Sequence, residues 1–308
     1  MSIAVIVNDT VKKYFYSTTS TLPTDTTYYE IGSLTKTFTA WLIAKAIEEN
    51  KLSLNEDIRN YLPFSKDSLK NLRFKDYNIT IKNLITHTSG IPRIPSDLSK
   101  QKKFDINNPY KNYTYNQLFN YLKTLDFTND TSAAFNYSNT GYALLGIILE
   151  NIYKDSLQNI LNKNLLNAYQ LNHTKLKLSI NEKLIQGFNS SEQPAMPWDM
   201  DVYKSAGAIK SNLNDLIKYI QMHLNNTSVF ATTHHILYQD HINTMGYAWF
   251  ITSIKNKNVY WHNGATFGYY SFVGFSLDKK IAVVILSNSG KINDFIGVQL
   301  LRYLLTIK

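Results

Sequence analysis

Hydrophobic and polar residues follow different spacings in different parts of the chain. Near the N-terminus, a short apolar run at 3–7 and a partly alternating run at 11–18 predict two strands that flank an Asn8-Asp9 turn. The last third again carries short apolar and alternating runs, which predict strands, followed by an amphipathic stretch, which predicts a helix. These predicted strands span 247–254, 259–262, 270–277 and 280–287, and the predicted helix spans 293–307.

The middle of the chain has apolar residues at helical spacing. The predicted helices run from Ser33 to 48–50 and then over 80–85, 115–125, 143–152, 157–166 and 211–223, with surface loops at 93–112, a candidate lid, and 167–201. Because predicted strands at both ends enclose predicted helices, we expect an α+β protein. Its antiparallel sheet comes from both chain ends and is flanked by helices, with an inserted, mostly helical lobe. We expect one domain over 1–308, with a sheet lobe of 1–60 plus 203–308 and a helical lobe of 61–202.

Composition excludes several classes of protein. The chain has 308 residues, 44% of them hydrophobic, and no cysteine. The lack of cysteine excludes disulfides, thiolate metal sites and a cysteine nucleophile. No run of about 18 apolar residues occurs, so no membrane-spanning segment is predicted. The first residues lack the basic region and apolar length of a signal peptide. This predicts a cytoplasmic protein if the N-terminus is native, and an exported one if a leader was removed.

The formal net charge of +9 raises the question of nucleic-acid binding. The basic residues are nearly all lysines spread along the chain, with arginine only at 59, 73, 93 and 302. Nucleic-acid-binding proteins concentrate arginine and aromatic residues on one face. We therefore predict no nucleic-acid partner.

Ser33 and Lys36 carry the strongest candidate chemistry. Residues three apart lie on one face of a helix's first turn, so the hydroxyl and the amine are predicted to be neighbours. Serine is a weak nucleophile, and it needs a group that takes its proton and a site that holds the resulting oxyanion. A lysine whose pKa is lowered by burial is such a group. On these residues alone, a helix-start serine beside a solvated lysine stays an alternative.

Two further motifs follow at wide spacing, Tyr137-Ser138-Asn139 at a predicted helix start and His262-Asn263-Gly264 on a predicted strand. With these motifs and the phrases at 31–40, 87–92 and 137–146, the chain resembles the serine β-lactamase and penicillin-binding-protein superfamily over almost its whole length. The resemblance is to its class C-like branch, which includes D-alanyl-D-alanine carboxypeptidases, D-aminopeptidases and esterases. It implies the fold predicted above.

The resemblance also implies a role for each matching residue. Ser33 would be the nucleophile that becomes acylated, and Lys36 would hold it and help to deprotonate it. Tyr137 would carry a proton, with its pKa lowered by the adjacent ammonium. Asn139 would donate its amide to a substrate carbonyl and orient Lys36. The backbone N–H groups of Ser33 and Ala265 would form the oxyanion hole. No metal or cofactor is implied.

The third motif departs from the β-lactamase pattern. Those enzymes commonly have Lys-Thr-Gly where this chain has His262, Asn263 and Gly264, as the esterase and peptidase relatives do. Gly264 would leave the strand bare for the substrate backbone, and Asn263 is grouped with the substrate-binding residues. His262 would polarise the site or assist proton transfer, but a neutral histidine binds a carboxylate less well than lysine. Phe267 stands where relatives often have proline.

Four other histidines are candidates for metal binding or structure. His87 is expected to be structural, in a loop beneath the helical lobe. His234, His235 and His241 lack nearby carboxylates and a His-x-x-x-His spacing, so a solvated loop is expected rather than a metal site.

The expected activity is that of a serine hydrolase. It would form a covalent acyl-enzyme on Ser33 and cleave an ester or an amide bond, such as one to a D-residue or in a β-lactam. One alternative is a penicillin-binding sensor or scaffold that is acylated and turns over slowly, and another is a catalytically silent descendant. The expected partner is a small-molecule or peptide substrate, without a prediction for the oligomeric state.

Overall fold

Eight strands form one antiparallel sheet in the computed structural model, which describes residues 1–18, 21–127 and 134–306. The strands of the protein are β1 (Ser2–Val7), β2 (Thr10–Phe15), β3 (Tyr29–Glu30), β4 (Gly187–Phe188), β5 (Pro194–Ala195), β6 (Lys210–Ser211), β7 (Tyr238–Gln239), β8 (Thr244–Met245), β9 (Phe250–Ile254), β10 (Lys257–Ala265), β11 (Tyr270–Ser276) and β12 (Ile281–Ser287). The order in the large sheet is β2-β1-β12-β11-β10-β9-β8-β7. Strand β1 pairs with β12 from Ser2 opposite Leu286 to Val7 opposite Ile281. The two chain ends therefore build one sheet, as predicted.

Both faces of this sheet are covered, which explains why β11 and β12 are apolar on both sides. The helices are α1 (Thr35–Glu48), α2 (Ile81–Ile85), α3 (Tyr115–Leu122), α4 (Asn139–Tyr153), α5 (Leu157–Leu161), α6 (Lys204–Gly207), α7 (Leu213–Asn225), α8 (Ser228–Thr232) and α9 (Asp294–Leu304). On one face, Ala4, Val273 and Val284 belong to the large core that includes α1, α4 and α7. On the other face, Phe272 and Val283 pack with α9. Successive residues of a strand point to opposite faces, so alternate side chains enter two different cores.

The predicted helices are present with shifted bounds. Ser33 lies in a 3-10 turn over Gly32–Leu34, and α1 begins only at Thr35. Helix α4 begins at Asn139, four residues before the predicted start, because the Ser138 hydroxyl accepts the Gly141 N–H at 2.9 Å and caps it there. Residue 307, the predicted end of the closing helix, lies outside the described residues. None of the helices in the described part of the chain has the length and apolarity to cross a membrane.

The shortest elements were not predicted. Strand β3 pairs with β6, and this two-residue ladder sets the segment before Ser33 beside 210–211. Strands β7 and β8 extend the sheet beyond β9, and α8 follows α7. Two-residue strands are too short to show an alternating pattern, so sequence periodicity does not reveal them. In contrast, β10 is longer than the predicted 259–262 and carries His262 through Ala265 as regular strand.

Candidate active site

The turn that holds Ser33 lies directly against strand β10. Gly32 has a φ of +51°, and a Cβ on it would lie 2.7 Å from the backbone nitrogen of Ala265. A Cβ on Gly264 would lie 2.8 Å from the backbone nitrogen of Ser33 and would collide with the carbonyl oxygen of Ile31. Two glycines therefore let the backbones meet without side chains between them. This contact sets the backbone of Ser33 beside residues 264 and 265.

Lys36 is buried beneath Ser33. Its Nζ lies 3.0 Å from Ser33 Oγ, 2.9 Å from Asn139 Oδ1 and 2.7 Å from the carbonyl oxygen of Ala206. The residue is fully buried and none of these partners is a carboxylate. Burial without a counter-charge holds the pKa of Lys36 far below its ordinary value, and the nearby Arg93 charge lowers it further. Ser33 and Lys36 are thus hydrogen-bonded neighbours, and a solvated lysine is excluded.

Tyr137 lies above the ammonium position of Lys36, with Nζ 4.9 Å from the ring centroid. Burial raises the pKa of Tyr137 above its ordinary value, and the nearby Ser33 side chain and the Arg93 charge only partly offset this rise. The expectation that an adjacent ammonium lowers this pKa is therefore wrong, since the same burial that acts on the phenol also disfavours the charged form of Lys36.

Asn139 connects the start of α4 to the site. Its Oδ1 accepts the hydrogen bond from Lys36, and its Nδ2 donates to the hydroxyl of Tyr110 at 2.8 Å. The residue is 7% exposed. Its expected orienting contact with Lys36 is present. One N–H of its amide already has a partner inside the protein, which leaves the other for a substrate carbonyl.

His262 and His87 are buried on two sides of Tyr137. The ring of His87 lies 4.2 Å from that of Tyr137, and the ring of His262 lies 6.4 Å from it. Burial lowers the pKa of His262 to about 3 and that of His87 well below its ordinary value, with the Lys36 charge as a further cause for both. His87 Nδ1 accepts the Ser138 N–H at 3.0 Å. Both histidines are therefore neutral at pH 7 and neither supplies a positive charge.

The side chain of Asn263 is not among the side chains around Lys36 and Tyr137. Its Nδ2 donates to both carboxylate oxygens of Asp294 at 2.9 Å, at the start of α9. Neighbouring strand residues point to opposite faces, so Asn263 faces α9 whereas His262 and Gly264 face Ser33. The structure thus corrects the grouping of Asn263 with the substrate-binding side chains.

Three residues that contact the side chains of this site were not predicted from the sequence. Ala206 contributes only its carbonyl oxygen, and Tyr110 contributes a hydroxyl from the loop that was interpreted as a lid. Arg93 has its guanidinium carbon 5.0 Å from the centroid of the Tyr137 ring. A backbone oxygen carries no signal in the sequence. Arg93 and Tyr110 belong to no periodic pattern, so only their position in space identifies them.

The more distant histidines divide into two groups. His235 and His241 are exposed, as expected for a solvated loop. His234 is buried, and its Nε2 lies 2.8 Å from His223 Nδ1, so the solvated interpretation is wrong for this residue. A buried imidazole needs hydrogen-bond partners, and both ring nitrogens of His234 have one, since its Nδ1 lies 2.8 Å from Asn226 Oδ1. Within the described ranges, no group of three His, Asp or Glu side chains is placed to hold a metal ion.

Comparisons with known proteins identify the family of the chain. Residues 1–303 match the model of the Beta-lactamase family. A "Beta-lactamase" of Providencia stuartii is 28% identical over 333 aligned positions, which cover 94% of this chain and 82% of that protein. "Protein flp" of Staphylococcus aureus (strain MRSA252) is 28% identical over 279 positions, which cover 85% of this chain and 53% of that protein. The chain thus spans about half the length of protein flp.

Solved structures show the same fold. A β-lactamase/D-alanine carboxypeptidase from Pseudomonas syringae superposes with a TM-score of 0.82 at 21% identity, covering 100% of this chain and 93% of that one. Class C β-lactamases are also among the structural neighbours. The fold and the Ser33–Lys36 pair define the class of active-site serine proteins that contains β-lactamases and penicillin-binding proteins. Within this class, the chain belongs to the Beta-lactamase family.

Proposed function

We propose that the protein is a serine hydrolase that forms a covalent acyl-enzyme on Ser33 and cleaves an ester or amide bond. The observation that carries this proposal is the set of contacts made by Lys36 Nζ. Two of its partners, Asn139 Oδ1 and the Ala206 carbonyl oxygen, only accept hydrogen bonds. A neutral amine has two N–H groups for these acceptors, so its lone pair is left for Ser33 Oγ at 3.0 Å.

The proposed acylation step follows from this arrangement. The amine of Lys36 takes the proton of Ser33 Oγ, and Oγ forms a bond to the carbonyl carbon of the substrate. The resulting oxyanion accepts hydrogen bonds from the backbone N–H groups of Ser33 and Ala265. Collapse of this intermediate breaks the bond to the leaving group, and water later releases the acyl group from Ser33.

Tyr137 is proposed to carry the proton to the leaving group. Because burial raises its pKa, Tyr137 is a neutral phenol at pH 7 and has a proton to donate. The phenolate formed on donation recovers its proton from the ammonium of Lys36, whose Nζ lies 4.9 Å from the ring centroid. The proton lost by Ser33 thus reaches the leaving group, and Lys36 returns to its neutral form.

The candidate substrates are β-lactams, esters and peptides that end in a D-residue. Support comes from the P. stuartii relative, called a β-lactamase, and from the P. syringae structure, called a β-lactamase/D-alanine carboxypeptidase. His262 stands in place of a strand lysine, and a neutral histidine attracts a carboxylate less, so a carboxylate on a β-lactam or on a peptide end needs another cation for its binding.

The test is the intact mass of the protein after incubation with benzylpenicillin and, separately, with p-nitrophenyl acetate. Ser33→Ala is compared with wild type and with Ser179→Ala, a substitution at an exposed serine. We expect Ser33-dependent release of nitrophenol, with the acetyl adduct present on wild type and Ser179→Ala alone. A penicillin adduct that persists on Ser33 would identify the slow sensor instead. The same reaction in Ser33→Ala, or none in any variant, would contradict the proposal.

A further inference from the structure

Arg93 is held in a fixed position at the start of α4. Its carbonyl oxygen accepts the backbone N–H of Asn139 at 3.1 Å and that of Thr140 at 3.2 Å. These bonds satisfy two of the N–H groups that a helix leaves free at its N-terminus. The backbone of Arg93 is therefore tied to the same residue that binds Lys36, so the arginine cannot move far from the catalytic cluster.

The guanidinium of Arg93 lies beside the catalytic phenol and is open to solvent. Its central carbon is 5.0 Å from the centroid of the Tyr137 ring, and the residue is exposed. Among the residues that the structure describes, no ion pair and no hydrogen bond joins its side chain to another residue. A guanidinium has five N–H donors in a planar fork, and here the fork faces an aromatic ring and water.

The field of Arg93 reaches the whole cluster. Its guanidinium lies 5.0 Å from the ring centroid of Tyr137, and its positive charge lowers the pKa of Lys36, of His87 and of Tyr137. No carboxylate contacts the Lys36 amine, and the histidine on strand β10 is neutral. Within residues 1–18, 21–127 and 134–306, no acidic side chain forms an ion pair with Arg93, so its positive charge is available to an anion brought by a substrate.

We propose that Arg93 is a carboxylate-binding subsite, and that the substrates of this enzyme carry a free carboxylate on the leaving-group side of the scissile bond. The side follows from Tyr137, which contacts Arg93 and donates the proton to the leaving group in the function proposed above, on which this inference rests. The arginine fork would bind the carboxylate through two parallel N–H···O bonds. The subsite takes the place of a lysine that strand β10 does not have.

The test compares two esters with the same acyl group, 3-acetoxybenzoate and 3-acetoxybenzamide, whose leaving phenols differ only in the charge of one substituent. The variants are Arg93→Gln, Arg93→Lys and a matched control, Arg302→Gln, at an exposed arginine of α9 across the sheet. Removing Arg93 also raises the pKa of Lys36, which slows both esters equally. The readout is therefore the ratio of the two kcat/KM values, taken on the pH plateau of each variant.

We expect Arg93→Gln to reduce the preference for the carboxylate ester by about 10- to 100-fold, the range for a hydrogen-bonded charge pair. Arg93→Lys should restore part of the preference, and Arg302→Gln should leave it unchanged. Equal losses for both esters would overturn the subsite while leaving the acyl-enzyme mechanism intact.

Binding of the same esters to Ser33→Ala protein, followed by NMR line broadening, tests the subsite without catalysis. Preferential binding of the carboxylate ester that is lost in the Ser33→Ala/Arg93→Gln double variant supports the subsite even if wild type hydrolyses neither ester, a result that would count against the proposed function alone. Equal binding of both esters, or binding of neither, would overturn the subsite.

Discussion

The two ends of helix α4 each contact a lysine, through an amide at one end and through a carboxylate at the other. At the first residue of α4, the Asn139 amide oxygen accepts a hydrogen bond from Lys36 at 2.9 Å. Near the last turn, the Glu150 carboxylate lies 2.6 Å from Lys204 Nζ. Both lysines also belong to the same small region, since Lys204 begins α6 and Lys36 donates to the carbonyl oxygen of Ala206 in that helix.

The amide and the carboxylate shift the two amines in opposite directions. Burial lowers the pKa of Lys36, because no negative charge compensates the loss of solvent. At Lys204, burial also lowers the pKa, but the hydrogen bond and charge of Glu150 outweigh it and the net shift is upward. In the proposed mechanism the Lys36 amine is the base for the serine, whereas the Lys204 amine stays charged and joins α6 to α4. At these two positions, Asn139 supplies no charge that stabilises the lysine ammonium, whereas Glu150 supplies one.

The largest expected effect comes from removing each amine in turn. We expect Lys36→Met to reduce acylation of Ser33 by about 10²- to 10⁴-fold, the range for a lost general base. We expect Lys204→Met to change it less than about twofold, since a surface ion pair is worth little and α6 is also held by Ser205 Oγ, which donates to the Tyr142 carbonyl oxygen at 2.8 Å. The measurement is the rate of nitrophenol release from p-nitrophenyl acetate, with circular dichroism as a check on folding. Equal losses of activity in both variants would mean that Lys36 and Lys204 do not differ in their effect on Ser33.

A second substitution replaces the amide beside Lys36 with a carboxylate, the type of group that Lys204 contacts at the other end of α4. Asn139→Asp places a carboxylate beside Lys36 Nζ and should raise the pKa of Lys36, because a nearby negative charge favours the ammonium form. Since only the neutral amine accepts the serine proton, the acylation rate rises as pH passes the pKa of Lys36. That rise should therefore move to higher pH, with a loss of about 10- to 100-fold at pH 7 that alkaline pH recovers. A pH–rate profile from pH 6 to 10 measures this shift. A loss that is equal at every pH would mean that Asn139 acts through substrate binding alone.

The sequence was informative about this site wherever side chains repeat a known spacing. Ser33 and Lys36 were predicted to be neighbours because three residues make about one turn, and the structure joins them even though Ser33 lies in a 3-10 turn. Tyr137 and Asn139 entered through the resemblance of their motif. The sequence did not show Ala206, whose carbonyl oxygen lies 170 positions from Lys36 and decides how many N–H groups the amine must donate. Backbone acceptors are set by tertiary packing.

The fold was predictable for a similar reason. Short, mostly apolar runs at 270–277 and 280–287 predicted β11 and β12, because a strand buried on both faces needs a nearly continuous apolar run. The direction of one side chain was not predictable in the same way. Asn263 lies between His262 and Gly264 in the motif, yet the alternation of the strand turns it towards Asp294 and α9. Residues that are adjacent in a sequence motif point to opposite faces of the sheet when the motif lies on a strand.

Stability should depend on pH with a sign set by Lys36. Its pKa is lower in the folded protein than in the unfolded chain, so the unfolded chain binds more protons between the two values. The free energy of unfolding of wild type relative to Lys36→Met should therefore rise with pH in that window, by up to about 1.4 kcal/mol per pH unit. The contribution of Lys204 has the opposite sign, because its raised pKa makes it constant until pH exceeds the unfolded value. Urea titrations at pH 7, 8 and 9 measure the difference. Parallel curves for wild type and Lys36→Met would show that the Lys36 amine is as protonated in the folded protein as in the unfolded chain.

The smallest effect is expected from replacing the carboxylate beside Lys204 with an amide, the type of group that Lys36 contacts. Glu150→Gln replaces the carboxylate beside Lys204 with an amide, which removes the counter-charge and lowers the pKa of Lys204 towards or below its ordinary value. The amine is 28% exposed and the carboxylate 18%, so solvent screens the pair and the loss of stability should be only about 0.5 kcal/mol. Acylation of Ser33 should not change, since Lys204 makes its contacts at the other end of α4 and not with Ser33. The other partner of Lys204 is the phenol of Tyr115 at 3.2 Å. Urea titration and the p-nitrophenyl acetate assay measure the two quantities on one sample. A change in acylation as large as that of Asn139→Asp would mean that a charge at either end of α4 affects Ser33. The group beside each lysine would then not determine which of the two lysines acts as a base.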